Sequence, residues 1–252
     1  MGGESGGDSA GQGGEVTAGF GGTGTGGTSS QGGAGGESPS IGGGGGSELV
    51  TFTFGERSSA TQTGVTRDTK LVAGASASNN FGAAEYFQAD GDPVTHPILR
   101  FEVSAVPPTA TVVAAKLRLW VSECTDCASA ADNPVRVYRV LEAWSEGNWN
   151  DTPGSANWTK RTSDAEWTAA GCDVPSRASD LVVEFSPTIS NQEYEVELPV
   201  PLVQDWISDP ASNHGLVMNT ALGAASTDGV EFLSSESSAI EKRPLLEVTF
   251  SE

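Results

Sequence analysis

The sequence predicts an all-β protein: a single antiparallel β-sandwich of jelly-roll type with one short helical turn, preceded by a disordered glycine-rich tail. Three observations carry this. Short apolar runs with period-two alternation recur through the last 200 or so residues, divided by Gly, Pro and Asn turns. Only one segment has helical spacing. Composition changes abruptly near Ser47, with 22 of the 33 glycines in residues 1–46.

Residues 1–46 contain no Lys or Arg, and Val16, Phe20 and Ile41 are nearly their only large apolar residues. Such a segment buries too little apolar surface to offset the entropy of ordering it. Residues 1–47 are therefore read as a flexible tether with a reach of roughly 35–40 Å. Residues 48–252 form the folded domain, long enough for one sandwich with a real core.

Within that domain "VTFTF" (50–54) alternates. "KLVA" (70–73), "EYFQA" (85–89) and "ILRFEV" (98–103) are further strand candidates. "TVVAAKLRLWVS" (111–122) is the clearest, with Val113, Ala115, Leu117, Leu119 and Val121 on one face and Ala114, Lys116, Arg118 and Trp120 on the other. "VRVYRVL" (135–141) is expected to pair with it. "YEVEL" (194–198) carries Glu193, Glu195 and Glu197 outward. "GLVMN" (215–219), "VEFLS" (230–234) and "LLEVTF" (245–250) complete the set. "PVPLVQDWISDP" (199–210) spaces Leu202, Val203, Trp206 and Ile207 as a helix and stops at Asp-Pro.

The formal net charge is −20. Five acids fall in the first 50 residues, which leaves 28 acids against 13 bases in the rest. Nucleic acid is excluded as a partner by this balance, since phosphate contact needs a basic surface. A strongly anionic ligand is disfavoured for the same reason. The composition, rich in Gly, Ser, Thr and Asn, suggests an extracellular or bacterial cell-surface protein. A glycine-rich acidic stretch also commonly follows the lipid-bearing cysteine of bacterial lipoproteins, so Met1 is read as replacing a removed signal and that cysteine.

Cys124, Cys127 and Cys172 are the only cysteines. Four good zinc ligands are lacking, and the loop around Cys124 and Cys127 does not read as a redox motif. In an oxidising compartment Cys172 is expected to pair with Cys124 or Cys127, and both pairings stay open. No cofactor is expected. Asp90, Asp92, Asp126 and Asp132 are scattered carboxylates that a structural calcium could use, and they read equally well as turn formers. His96 and His214 fall in loops, and neither a nucleophile elbow nor a phosphate loop occurs, so the chain is not expected to be an enzyme.

The ordered pieces "NNFG" (79–82), "ILRFEVSAVPPTATVVAAKLRLWVS" (98–122), "VRVYRVLEAWSEGNWND" (135–151), Trp167 with "GCD" (171–173), "LVQDWISDPASNHGLVMN" (202–219) and "FLSSESSAIEKRPLLEVTF" (232–250) resemble the DNRLRE domains, grouped as carbohydrate-binding module family 96 and related to disaggregatase repeats. The resemblance implies a sandwich that binds polysaccharide without cleaving it. It also implies that Glu236 pairs with Arg100 in a structural link between an early and a late strand. The chain departs from the pattern at Cys172, where the family commonly has a second glycine, and at Trp120, where it more often has tyrosine.

Of the six tryptophans, Trp144, Trp149, Trp167 and Trp206 are expected to fill the core. Trp120, beside Lys116 and Arg118, and Trp158, beside Lys160 and Arg161, are the places where an indole meets two bases. Each could stack on a sugar ring while the bases pair its carboxylate, or lie packed under a neighbouring loop. The alternative to sugar binding is a structural or adhesive surface protein that meets another protein.

Overall fold

The computed structural model describes residues 48–124, 134–220 and 229–252. Thirteen strands and one α-helix run through these residues in chain order. They are β1 (Leu49–Gly55), β2 (Thr66–Val72), β3 (Asn79–Asn80), β4 (Tyr86–Gly91), β5 (Val94–Phe101), β6 (Thr111–Cys124), β7 (Val135–Val140), β8 (Thr152–Pro153), β9 (Arg177–Phe185), β10 (Gln192–Glu197), α1 (Val200–Ser208), β11 (Leu216–Thr220), β12 (Val230–Leu233) and β13 (Leu245–Ser251). All described strand pairs are antiparallel.

One layer is built on β6. It pairs with β10 on one side, and with β13 and then β12 on the other, while β1 extends it beyond β13. The second layer runs β2, β5, β11, β7, β9. β4 joins the two: Tyr86–Ala89 pair with β12, and Asp90 and Gly91 pair with β5. A short separate ribbon pairs β3 with β8.

Alternation along these strands fills the space between the layers. Leu117, Leu119 and Val121 of β6 meet Phe232, Leu246 and Val248 from one layer and Leu99, Val137 and Met218 from the other. α1 adds Leu202, Val203, Trp206 and Ile207 to the same core. Its Gln204 side chain ties it to β6, accepting the Val112 N–H (2.9 Å) and donating to the Ala110 carbonyl (3.0 Å).

A second apolar cluster lies on the outer face of the second layer. Leu71, Ile98, Val140 and Val217 point there, and Trp144, Ala156, Trp167 and Cys172 from the long segment after β7 cover them. The sheet is thus apolar on both faces, which is why neighbouring residues such as Ile98 and Leu99 are both buried.

Several expectations are corrected. β7 does not pair with β6; it lies in the other layer, between β11 and β9. Val113 is exposed and Val112 buried, because Thr249 and Phe250 of β13 face Ala114 and Val112, which leaves Val113 as an extra residue in β6, a bulge that reverses the phase of alternation. β9 was not expected: it is an edge strand with most residues exposed or half-buried, and its sequence does not alternate. His96 sits inside β5, buried, not in a loop. Cys172 is free and buried in the second cluster, while Cys124 ends β6 in the first layer and is disulfide-bonded. Cys127 lies outside the described residues, as does the 1–47 tether.

The bulge sets a prediction. Val112→Thr should lower stability by about 1–3 kcal/mol by burying a hydroxyl. The same change at neighbouring Val113 should stay within about 0.5 kcal/mol. Denaturant melts of the two variants check this.

Candidate functional site

The first predicted group does share one surface. Lys116, Arg118 and Trp120 stand on the face of β6 away from the core, but β10 runs beside them in a register that sets Glu197 opposite Lys116, Glu195 opposite Arg118 and Glu193 opposite Trp120. Arg118 reaches Glu195 at 2.6 Å and Glu193 at 3.7 Å, and Glu247 of β13 lies 3.9 Å away. Lys116 contacts Glu197 at 3.3 Å and Glu195 at 3.5 Å. The Lys242 ammonium sits 4.1 Å from the Trp120 ring centroid. Both bases are neutralised and the half-buried indole already has a cation over it.

The second predicted group belongs to the covering segment. Trp158 packs against His96 (5.2 Å between ring centroids) and against Gly171, whose missing side chain makes room for the indole. His96 Nδ1 bonds the Gly171 carbonyl at 2.8 Å, and burial holds its imidazole below the usual range. Arg161 donates to the Ala143 carbonyl at 2.7 Å, clipping the segment to itself. Lys160 alone of this group is exposed and lines an open cleft.

Trp144, Trp167 and Trp206 are buried, with 5%, 5% and 3% of their surface exposed. The Trp144 indole donates to the His214 carbonyl (2.8 Å) and that of Trp167 to the Asn157 carbonyl (3.0 Å). Trp149 departs from expectation. It is 55% exposed and walls a cleft of about 510 Å³ together with Ser78, Pro153, Asn157, Thr159 and Lys160. The rhythm of alternating residues ends with β7 at Val140, so the position of Trp149 is set by a turn and not by a strand.

Two buried asparagines shape that turn. Asn80 of β3 is wholly buried. Its amide donates to the Glu146 (2.7 Å) and Ala156 (2.8 Å) carbonyls, and its oxygen accepts the Trp149 N–H (3.0 Å). Asn157 donates to the Ser78 and Gly154 carbonyls and accepts the Thr159 and Lys160 N–H groups. Gly147, at φ 76°, passes so close to Asn80 and the Ser155 carbonyl that no side chain fits. Backbone contacts by buried amides give a segment with little regular structure a fixed shape.

The turn is also anchored by charge. Glu146 accepts the Asp68 N–H at 2.6 Å, with the Arg67 guanidinium 3.6 Å away. Burial pushes its carboxyl up to about 7, with the nearby Glu236 adding to the effect. Burial likewise raises Asp68 well above the carboxylate range and raises Glu236. The expected Arg100–Glu236 link is absent. Arg100 pairs with Glu102 at 3.2 Å, and its guanidinium lies 5.8 Å from the Trp144 ring. Alternation along β5 turns Arg100 outward with Ile98, while Glu236 is held by Ser235 beside Asp68.

Among the described residues no group of three or more His, Cys, Asp or Glu is arranged to hold a metal ion. Asp90 accepts the Gln88 amide and the Asp92 N–H as a turn former. Asp126 and Asp132 lie outside the described residues. Burial raises the Cys172 thiol, leaving it without thiolate character.

The described residues thus form an all-β domain with an exposed indole at an open cleft whose lining includes Ser78, Ser155 and Thr159. Residues 59–177 match the model of carbohydrate-binding module family 96, just under half of the chain. The matched stretch includes β2 to β8 and the whole Trp149 cleft. That stretch is thus similar to carbohydrate-binding module family 96, a family of non-catalytic binding units. No curated protein matches the chain.

Two predictions follow from the anchoring of the turn. Asn80→Ala should cost about 2–4 kcal/mol, since it leaves several buried backbone groups unpaired, and should quench or shift the emission of Trp149. The second concerns pH. Between about 4.5 and about 7 the folded Glu146 holds a proton that the unfolded chain has lost, so stability falls as pH rises through that window. The fold should be up to about 2 kcal/mol more stable at about pH 5.5 than at about pH 8 from this group. Glu146→Gln keeps the acceptor for Asp68 and should flatten that slope in melts across the range.

Proposed function

We propose that this domain binds a polysaccharide outside the cell by stacking a sugar ring on Trp149, with Lys160 and the surrounding hydroxyl and amide groups holding its oxygens. The observation that carries the reading is the indole itself. A tryptophan more than half exposed beside an open cleft leaves a large apolar face in water unless a ligand covers it. The cleft carries a cation at Lys160 and polar groups at Ser78, Asn157 and Thr159. A few placed polar groups around an apolar platform suit a saccharide.

Lys116, Arg118 and Trp120 are the lesser candidates, because a ligand there would have to displace glutamates and Lys242. A location at the cell surface, with residues 1–47 as a tether to a lipid anchor, is supported by composition: the segment is glycine-rich, acidic and free of bases. The overall negative charge favours a neutral or weakly charged glycan.

Binding should be modest, about micromolar to millimolar. In calorimetric titrations with a panel of neutral polysaccharides, Trp149→Ala should weaken binding about tenfold or more, a loss of about 1.4 kcal/mol. Trp120→Ala should leave it within about twofold, with both variants folded by circular dichroism. Loss at Trp120 and retention at Trp149 would sink the assignment.

A further inference from the structure

A second hollow lies on the other side of the loop that carries Trp149. It measures about 440 Å³ and is lined by Lys70, Phe81, Tyr86, Thr95, Asn150 and Asp151, among others. Asn150 and Asp151 follow Trp149 directly in the chain, and Pro153 returns to the first cleft. Two residues of chain reach at most about 7 Å, so the two hollows are neighbours.

Lys70 is the unusual group here. It is only 7% exposed, on β2, a strand buried along most of its length. Its ammonium sits 4.2 Å from the centroid of Tyr86 and 5.2 Å from that of Phe81. Among the described residues it has no hydrogen bond and no ion pair. Burial lowers its pKa, while Glu231 and Asp151 oppose that shift from beyond ion-pair distance. Both carboxylates have other donors: Asn79 donates to Asp151 at 3.0 Å and Ser122 to Glu231 at 2.7 Å. The ammonium at the end of this mostly buried side chain opens on the hollow, with its N–H donors unused by the protein and free for a ligand there.

We propose that this hollow is a second sugar subsite, and that Lys70 and Asp151 together grip adjacent hydroxyls of a neutral pyranose next to the one on Trp149. The proposal rests on the Trp149 reading and adds the ligand class. A hydroxyl accepts from Lys70 and donates to Asp151, so a vicinal diol satisfies both at once. Tyr86, 40% exposed, offers a ring wall for the apolar side of the sugar. A uronate fits poorly, because its carboxylate would meet Asp151 and Glu231 as well as the ammonium. The ligand is therefore a neutral glycan held over at least two consecutive residues.

The test titrates the whole protein with gluco-, manno- and galacto-oligosaccharides of one to six units, and with oligogalacturonate of the same lengths. For the neutral series that binds, affinity should climb about tenfold once the second subsite is filled, as hydrogen bonds to charged groups allow. That climb should vanish in Lys70→Met and in Asp151→Asn, which keeps an acceptor for Asn79 and tolerates the left-handed backbone at φ 53°. Trp149→Ala should weaken every length. In the wild type, amide shifts at Ser76, Asn150 and Asp151 should respond to the longer sugars and not to the monosaccharide, a readout that no variant's folding can disturb. The inference is overturned if Lys70→Met binds every length as the wild type does, if those amides stay still, or if oligogalacturonate binds more tightly than the neutral sugars. If Trp149→Ala weakens binding while Lys70→Met does not, the Trp149 site stands and the second subsite falls. If no saccharide binds, both fall.

Discussion

The amide of Asn80 holds the loop of Trp149 in place. Its single side chain is sealed from water and bonds the backbone at Glu146, Trp149 and Ala156, besides its own neighbour Gly82. Without those contacts the segment between β7 and β9 would have few reasons to take one shape, since only the two-residue β8 within it is strand. A buried amide left unpaired is expensive, so the loop is forced to supply its carbonyls and N–H groups in one arrangement. Asn157 does the same from the other end of the cleft. The exposed Trp149 is therefore displayed on a rigid mount, which limits the ordering entropy that binding must overcome.

Charge is distributed to a different end. Thirteen bases among many acids are mostly committed to partners inside the fold. The outer face of β6 shows this: Lys116 and Arg118 are interleaved with glutamates from β10 and β13. Exposed pairs of this kind contribute little stability each, but they occupy the cations and deny that face to an anionic ligand. Lys160 and Lys70 are the bases that line the two hollows, one exposed and one buried, and both border the loop of Trp149.

Much of the fold was legible because alternation is a local property. The strands near Val50, Leu71, Ile98, Leu117, Val137, Val196, Val217, Phe232 and Val248 announced themselves as short apolar runs between turn residues, some of them with period two. The helix did so through Leu202, Val203, Trp206 and Ile207. Less of the site could be read. Trp120 and Trp158 looked promising because each has bases as sequence neighbours, yet strand register gave the first its glutamates and loop packing gave the second His96. Trp149 looked like core because a large indole in a small β-domain is usually buried. Its true setting depends on Asn80, nearly 70 residues away, and no local pattern points from one to the other.

By itself the sequence determined the class of fold, the extent of the glycine-rich segment, most of the strands, the helix, and the acidic character of the chain. Each of these depends on composition or on spacing within a few residues, which the chain states directly. Tertiary structure decided which strands are neighbours, that β6 and β7 lie in opposite layers, that Cys172 is sealed away from Cys124, and which indole meets water. Those outcomes depend on contacts between residues distant in the chain, where one shifted pair in a ladder or one buried amide changes which side chain faces out.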